Sequence, residues 1–299
     1  MLSERHARHR RAEPLLPSAY EDPADARREI EALRKKDRAV GVVAARAGTV
    51  AGYLTGAPGD DDVWGPNIWI ELAGHAVDDA ELVRDLYAAV ATGWVEAGRT
   101  RHYAVVPATD AALVDSWFRL GFGQQQAYGI SEIAPTEWPE AARKAEPRDV
   151  DAMVDLAPKL PEHQLLSPVF SGRGLDMTRE EIRADIDEDF RGDRVGSFVA
   201  ERNGRLVGNF VVCPSELSSM HRGLAQPERS CYLAFAIVTP EARGTGAGLA
   251  LTQACFAWAY EAGYETMVTD WRVTNLLASR FWPARGFRTS FLRLYRSIP

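Results

Sequence analysis

Cysteine is scarce in this chain: three among 299 residues. Three thiols cannot all pair with one another. Cys213, Cys231 and Cys255 lie in apolar strand or helix patterns without metal-ligand spacing. A disulfide scaffold and a cysteine-held metal centre are thereby excluded, and buried reduced thiols in a cytoplasmic protein are expected. Long apolar runs are missing too, none approaching the ~20 residues of a membrane span. The basic start, Met1–Arg11, has no apolar stretch behind it and does not resemble a secretory signal. Residues 1–18 are expected to be a basic arm without fixed structure. Lysine stands at only four positions (Lys35, Lys36, Lys144, Lys159) while arginine abounds, a bias of composition rather than of chemistry. An excess of positive charge is absent: the net charge of −7 argues against a general nucleic-acid binder. Carboxylates stop at Asp270, and Arg272, Arg280, Arg285, Arg288, Arg293 and Arg296 follow without one. A polyanionic ligand would favour that end of the chain.

What is present describes a soluble globular protein, 46% apolar and 26% charged, long enough for two ordinary cores. Its most informative stretch is Arg243-Gly244-Thr245-Gly246-Ala247-Gly248, between the apolar run Tyr232–Val238 and the amphipathic run Leu249–Ala262. That order predicts a strand, a glycine loop and a helix. A helix starting there offers unpaired N–H groups and the positive end of its dipole, a site suited to phosphate. A dinucleotide fingerprint does not fit, because Leu249 stands where its third glycine belongs.

The chain also repeats itself. Val43–Gly52 and Val199–Gly208 match at an offset of 156, each predicting a β-hairpin with its turn at glycine. Glu96-Ala97-Gly98 matches Glu261-Ala262-Gly263, and Gly121-Phe122 matches Gly286-Phe287, now at an offset of 165. Nine extra residues therefore lie between Gly208 and Glu261, and the Ser-, Pro- and Gly-rich stretch 214–229 is their natural place. Two copies of one fold are implied, residues 1–138 and 139–299, joined by the linker-like Ala134–Pro139. In the second copy the patterns predict a first strand at Arg143–Glu146 and a helix over Pro147–Ala157. A loop over Pro158–Met177 follows, then a helix opened by the capping box Thr178/Glu181. Strands are expected at 197–201, 205–212, 232–238, 266–270 and 289–295, and a short helix at 275–282.

This order, with Val238-Thr239-Pro240 leading into Arg243, Gly246 and Gly248 and with Asn275 and Gly286-Phe287 downstream, resembles the GNAT N-acetyltransferase superfamily. The resemblance covers most of the second copy and the first in outline. It implies an α/β (α+β) protein of two tandem GNAT-like domains, each a mixed, largely antiparallel sheet flanked by helices. It implies acetyl-CoA as cofactor, with backbone groups of Gly244–Gly248 on the pyrophosphate, Ile237 and Val238 on the pantetheine arm, and Asn275 touching that arm from the other side. The cofactor-binding set is thus Ile237, Val238, Arg243, Gly244, Thr245, Gly246, Ala247, Gly248 and Asn275. The family often draws a general acid from a tyrosine before Gly-Phe; here Phe281-Trp282-Pro283 stands there, and tryptophan cannot act as an acid.

Candidate catalytic carboxylates are Asp270, at the end of the strand flanking the cofactor gap, which could equally pair with Arg272 or cap the next turn, and Glu228, just before the central strand. Tyr232 and Tyr295 read as core tips. His163 lies where the family often shapes its acceptor site, although a surface histidine is the better reading, and the acidic run Asp185, Asp187, Glu188, Asp189 reads as a solvated helix face rather than an attractor of a cationic amine. In the first copy, offset 165 lays Asp78 on Arg243 and Glu81 on Gly246, so three carboxylates crowd the expected phosphate cradle and would repel it. Glu71 and His75 flank that copy's central strand. The expectation is an N-acetyltransferase moving acetyl to a primary amine of a small molecule by direct transfer. Metal, nucleic acid and membrane are not involved, and the chain is a monomer or weak dimer. Mycothiol synthase has a similar tandem plan. A CoA-binding regulatory or interaction protein without turnover is the alternative.

Overall fold

The computed structural model describes residues 1–59, 64–171 and 177–299. Two compact units divide it: Met1–Tyr128 with Gly223–Pro227 and Thr289–Pro299, and Gly129–Arg222 with Glu228–Arg288. In chain order the first unit holds α1 (Leu2–Ala12), α2 (Pro23–Arg34), β1 (Val40–Arg46), β2 (Thr49–Gly56), β3 (Asn67–Ile70), β4 (His75–Val77), α3 (Leu82–Glu96), β5 (Arg101–Pro107), α4 (Ala111–Arg119) and the start of β6 (Gly123–Glu132). The second holds β7 (Arg143–Lys144), α5 (Val150–Leu156), α6 (Lys159–Leu165), α7 (Arg179–Arg191), β8 (Gly196–Arg202), β9 (Arg205–Pro214), β10 (Ser230–Val238), α8 (Ala247–Glu261), β11 (Thr266–Arg272) and α9 (Leu276–Phe281). The last strand, β12 (Arg288–Ser297), pairs antiparallel with β5, Phe291 opposite Pro107. The first unit therefore takes in residues from the far end of the chain, where the sequence pattern had placed a simple boundary after residue 138.

The repeat is visible in the element starts. β1 and β8, and β2 and β9, begin 156 residues apart; α3 and α8, β5 and β11, α4 and α9, β6 and β12 begin 165 apart. Packing explains one repeated glycine. A Cβ on Gly208 would stand 2.7 Å from Leu251 Cδ1 of α8, and one on Gly52 would stand 2.9 Å from Leu82 Cδ2 of α3. At both positions a side chain would crowd the long helix packed on the hairpin.

In the second unit the strand order is β11-β10-β9-β8-β7. β10 runs antiparallel to β9 over its length with an irregularity between Leu233 and Phe235. Its core side is filled by Phe198, Cys231, Leu251, Cys255 and Met267, all fully buried; each large apolar side chain so placed contributes roughly 1.5–3 kcal/mol. The Thr178/Glu181 capping box opens α7 as the sequence predicts. The expected loop 158–177 instead begins with helix α6. Pro161 is tolerated there because it lies in the first turn, where its missing N–H would have no helical partner anyway. Residues 172–176 of that expected loop lie outside the described residues.

In the first unit β3 pairs parallel with β5, and β4 pairs antiparallel with β2. Registers show that β3 and β4 together stand for β10. Asn67 faces Arg101 as Ser230 faces Thr266, and Val77 faces Gly52 as Val238 faces Gly208. The break at residues 71–74 thus corresponds to the irregularity in β10.

Residues 1–18 are not an unstructured arm. α1 buries Leu2, Ser3, Arg5, His6 and His9, at helical spacing. Arg5 donates to the carbonyls of His75 (2.5 Å) and Leu72 (2.6 Å), and the Tyr53 hydroxyl donates to that of Ala73 (2.8 Å). The His9 ring meets Phe291 edge-on at 4.6 Å. Burial pushes His9 and His75 down to about 3, so both rings are neutral near pH 7.

Candidate functional site

β10 and β11 pair at only three positions, ending at Tyr232 opposite Val268. Beyond that point the two strands part. The Thr269 hydroxyl donates to the Leu233 carbonyl (3.0 Å) at the fork. A cleft of about 460 Å³ opens from it, walled by β10 and β11, by α6 through Leu160, His163 and Gln164, and by Phe281 and Trp282 of the α9 segment.

At the outer end of β10 the chain makes a short turn at Pro240–Ala242 and then the glycine loop. Gly244 and Gly246 both have positive φ (76° and 94°), and Gly246 caps α8 in the left-handed conformation. A Cβ on either would meet nothing within 4 Å. These glycines therefore serve backbone conformation and leave the space beside the loop open. Gly248 differs: a Cβ there would stand 3.2 Å from the Phe281 ring. The Thr245 hydroxyl donates to the Ala242 carbonyl (2.7 Å), holding the loop against the turn before it. The first N–H groups of α8 have no partner inside the helix, and no acidic side chain stands between Arg243 and Gly248. Open space, positive backbone conformation and a helix N-terminus fit a diphosphate. Ile237 and Val238, past the fork, line the same cleft.

Asn275 also lines the cleft. Its Oδ1 accepts from the N–H groups of Leu277 (3.2 Å) and Ala278 (3.3 Å), capping α9. A contact from Asn275 to a ligand must then come from its Nδ2. Asp110, its counterpart at offset 165, caps α4 through the Leu113 N–H.

The two candidate carboxylates part company. Asp270 lines the cleft and accepts a hydrogen bond from the Tyr232 hydroxyl at 2.7 Å. Glu228 is exposed on the turn before β10, and the cleft lining does not include it. His163 sits on α6 in the cleft wall, whereas the acidic run 185–189 belongs to α7 and is not part of that wall. Trp282 is buried, its ring 5.9 Å from Phe210 and 5.5 Å from Phe287. The sequence reading missed the Tyr232–Asp270 bond. The parallel register of the two strands carries the signal, since it sets Tyr232 beside Val268, two residues before Asp270. The thiols play no part: Cys213, Cys231 and Cys255 are buried, and burial raises the pKa of each.

The first unit keeps none of this loop. Only residues 78–81 connect β4 to α3, against 239–246 between β10 and α8. The cradle is thus four residues shorter, rather than replaced residue for residue as offset 165 suggests. Glu81 stands at the N-terminal cap position of α3 without a side-chain capping bond, and its carboxylate accepts from Arg84 (3.0 Å), Ser116 (3.1 Å) and Arg119. His75 is buried, and Glu71 is paired with Lys36.

Residues 163–287 match the model of the Acetyltransferase (GNAT) family. No curated protein matches the chain. Among solved structures, a GCN5-related N-acetyltransferase from Sphaerobacter thermophilus is similar over 90% of this chain and 85% of its own, with a TM-score of 0.53 and 16% identity. An acetyltransferase from the GNAT family from Colwellia psychrerythraea is similar over 93% and 97%, with 0.52 and 11%. A GCN5-related glucosamine N-acetyltransferase region of a fungal multi-domain GH3 beta-N-acetylglucosaminidase is similar over 91% of this chain and 34% of that one, with 0.53 and 16%. At these identities the likeness is one of fold. Among the described residues no helix is long and apolar enough to cross a membrane.

Proposed function

Since residues 163–287 form a domain of the GNAT acetyltransferase family, we propose that this acyltransferase moves acetyl from acetyl-CoA directly to a primary amine of a small molecule, and that the chain is a tandem GNAT protein with one working site. One observation carries the reading: a fork between parallel strands leads through a single cleft to a glycine loop at a helix N-terminus, with Asp270 in the cleft wall. Acetyl-CoA, when bound, supplies an acetyl thioester. Backbone groups of Gly244–Gly248 would hold its diphosphate, helped by Arg243, and Ile237, Val238 and the Nδ2 of Asn275 would hold its pantetheine arm. Hydrogen bonds to a charged acceptor contribute ~1.5–3 kcal/mol each, so a few suffice to anchor it.

Asp270 takes the proton from the amine as its nitrogen bonds to the acetyl carbon; the carbon–sulfur bond breaks, and CoA leaves as a thiolate that solvent protonates. Direct transfer is supported by the thiols, which are buried and outside the cleft. Trp282, at the position where the family often has tyrosine, favours the second reading: a CoA-binding protein without turnover. Calorimetry with acetyl-CoA, followed by thiol release in the presence of primary amines, separates the two. Binding with release supports the enzyme; binding without release for every amine supports the second reading; no binding sinks both.

A further inference from the structure

Offset 156 sets each residue of the first hairpin beside a counterpart in the second. α2 and α7 also begin 156 residues apart, so the correspondence extends ahead of the hairpins. Both hairpins even carry their register irregularity at the same place, between Ala44 and Ala45 and between Ala200 and Glu201. In the second unit the outer edge of β8 is taken by β7. Arg143 pairs with Val199 and Lys144 with Phe198, antiparallel, and the Ala145 N–H donates to the Ser197 carbonyl at 2.8 Å. Val199 is fully buried there, in one apolar cluster with Ala145 and with Met153 of α5.

Among the described residues β1 has no such partner: the sheet order β1-β2-β4 leaves it at the edge. Val43, the counterpart of Val199, is 65% exposed. From Val40 to Ala45 this edge carries neither charge nor proline. Proteins ordinarily blunt or cover a bare apolar edge, because it accepts another strand. The two edges differ in charge as well. In β8, Glu201 reaches Arg143 of β7 at 3.6 Å; its counterpart in β1 is Ala45, which gives a basic strand nothing to hold. The strand that suits β1 is apolar, and small where it meets Ala45. β1 itself meets that description. Laid antiparallel on a second β1 with Val43 at the centre, it sets Val43 against Val43, Val42 against Ala44 and Gly41 against Ala45, with no like charges opposed.

We propose that β1 is a self-association edge: two copies of this chain join their β1 strands antiparallel about a two-fold axis at Val43, making one sheet of six strands from two of three. Alternation supports the centre. The Ser197 carbonyl faces β7, so residues 197 and 199 turn their backbone groups outward, and Gly41 and Val43 take the same places in β1. The two Val43 residues then exchange both N–H···O bonds. The contact is closed, since the same edge is used on both sides and none is left to propagate.

The test is sedimentation of the full chain. The wild type should pass from monomer to dimer over about 1–100 μM, as an interface at the small end of the range does. Val43→Lys sets two ammonium groups opposite one another on the axis and should weaken the dimer at least ~10-fold. Because Val43 is largely exposed within one chain, this variant should keep the wild-type circular dichroism and acetyl-CoA affinity. Val43→Cys adds a thiol to a chain whose own cysteines are buried. Mild oxidation should link it to its copy, since Cα atoms of such an opposed pair lie about 5.5 Å apart, within disulfide reach. Val50→Cys, also exposed but on β2, should not cross-link.

A wild type that stays monomeric up to about 100 μM overturns the proposal; slow hydrogen exchange at the Val43 amide of that monomer would assign the edge to a strand of the same chain. A dimer that Val43→Lys leaves intact, or one that links through Val50→Cys and not through Val43→Cys, places the interface elsewhere and overturns it too.

Discussion

Gly246 offers the sharpest way to separate fold from ligand. It has φ 94° and ψ −11°, and a Cβ added there meets nothing within 4 Å. An L residue at this position bears the left-handed backbone cost of about 1–2 kcal/mol, and its Cβ meets no clash. Gly246→Ala and Gly246→Glu should therefore lose similar stability in thermal or urea melts without ligand. Their ligand binding should differ. Glutamate sets a negative charge at the N-terminus of α8, where the helix dipole alone contributes ~0.3–1 kcal/mol to an anion. It also competes for N–H groups whose bonds to a charged acceptor are worth ~1.5–3 kcal/mol each. Loss of two such bonds is about 3–6 kcal/mol, so acetyl-CoA affinity should fall at least ~100-fold for Gly246→Glu. Calorimetry with acetyl-CoA measures this directly. Equal affinities for Glu and Ala variants, with both folded, would refute the assignment of the loop as the diphosphate site.

Acid should weaken the first unit. His9 and His75 are neutral in the fold with values near 3, against about 6.5 when unfolded, burial being the main cause. Their contribution is complete above pH 6.5 and is lost as pH falls toward 3, at up to about 1.4 kcal/mol per histidine per pH unit; urea melts from pH 7 to 4 that show no loss would contradict their burial. Arg5→Met keeps the volume of the α1 side chain but deprives the carbonyls of Leu72 and His75 of their donor. It should cost roughly 1–3 kcal/mol, and a melt as high as the wild type would show that α1 is dispensable.

Much of this was legible before any coordinates. The glycine loop, the Thr178/Glu181 box and the two offsets are local patterns, and the elements obey them. Three features were not. The buried face of α1 is built from arginine and histidine, so no apolar stripe announced a helix. The placement of β12 against β5 is silent in sequence, because β6 and β12 carry the same repeat pattern. The bond from Tyr232 to Asp270 depends on a strand register, which composition does not specify. Local chemistry was readable, and pairing at long range was not.

A central strand that leaves its neighbour exposes backbone groups, and buried carbonyls without donors are costly. The two copies meet that problem differently. In the first, residues 71–74 break the strand. Side chains of the same unit supply the donors: Arg5 to Leu72 and His75, Tyr53 to Ala73, with the Thr55 N–H on Gly74 at 2.7 Å. In the second, β10 continues past the fork beside an open cleft that ends at the glycine loop. The first copy satisfies itself and carries Glu81 at the cap of a loop four residues shorter; the second leaves room for a ligand. Calorimetric titration of the full chain should accordingly give one acetyl-CoA per chain. Arg5→Met should leave that number at one, since opening the first fork restores neither the missing loop nor an uncharged cap. A stoichiometry of two in the wild-type chain would show that the first copy binds as well, and that α1 gives way to the cofactor rather than standing in its place.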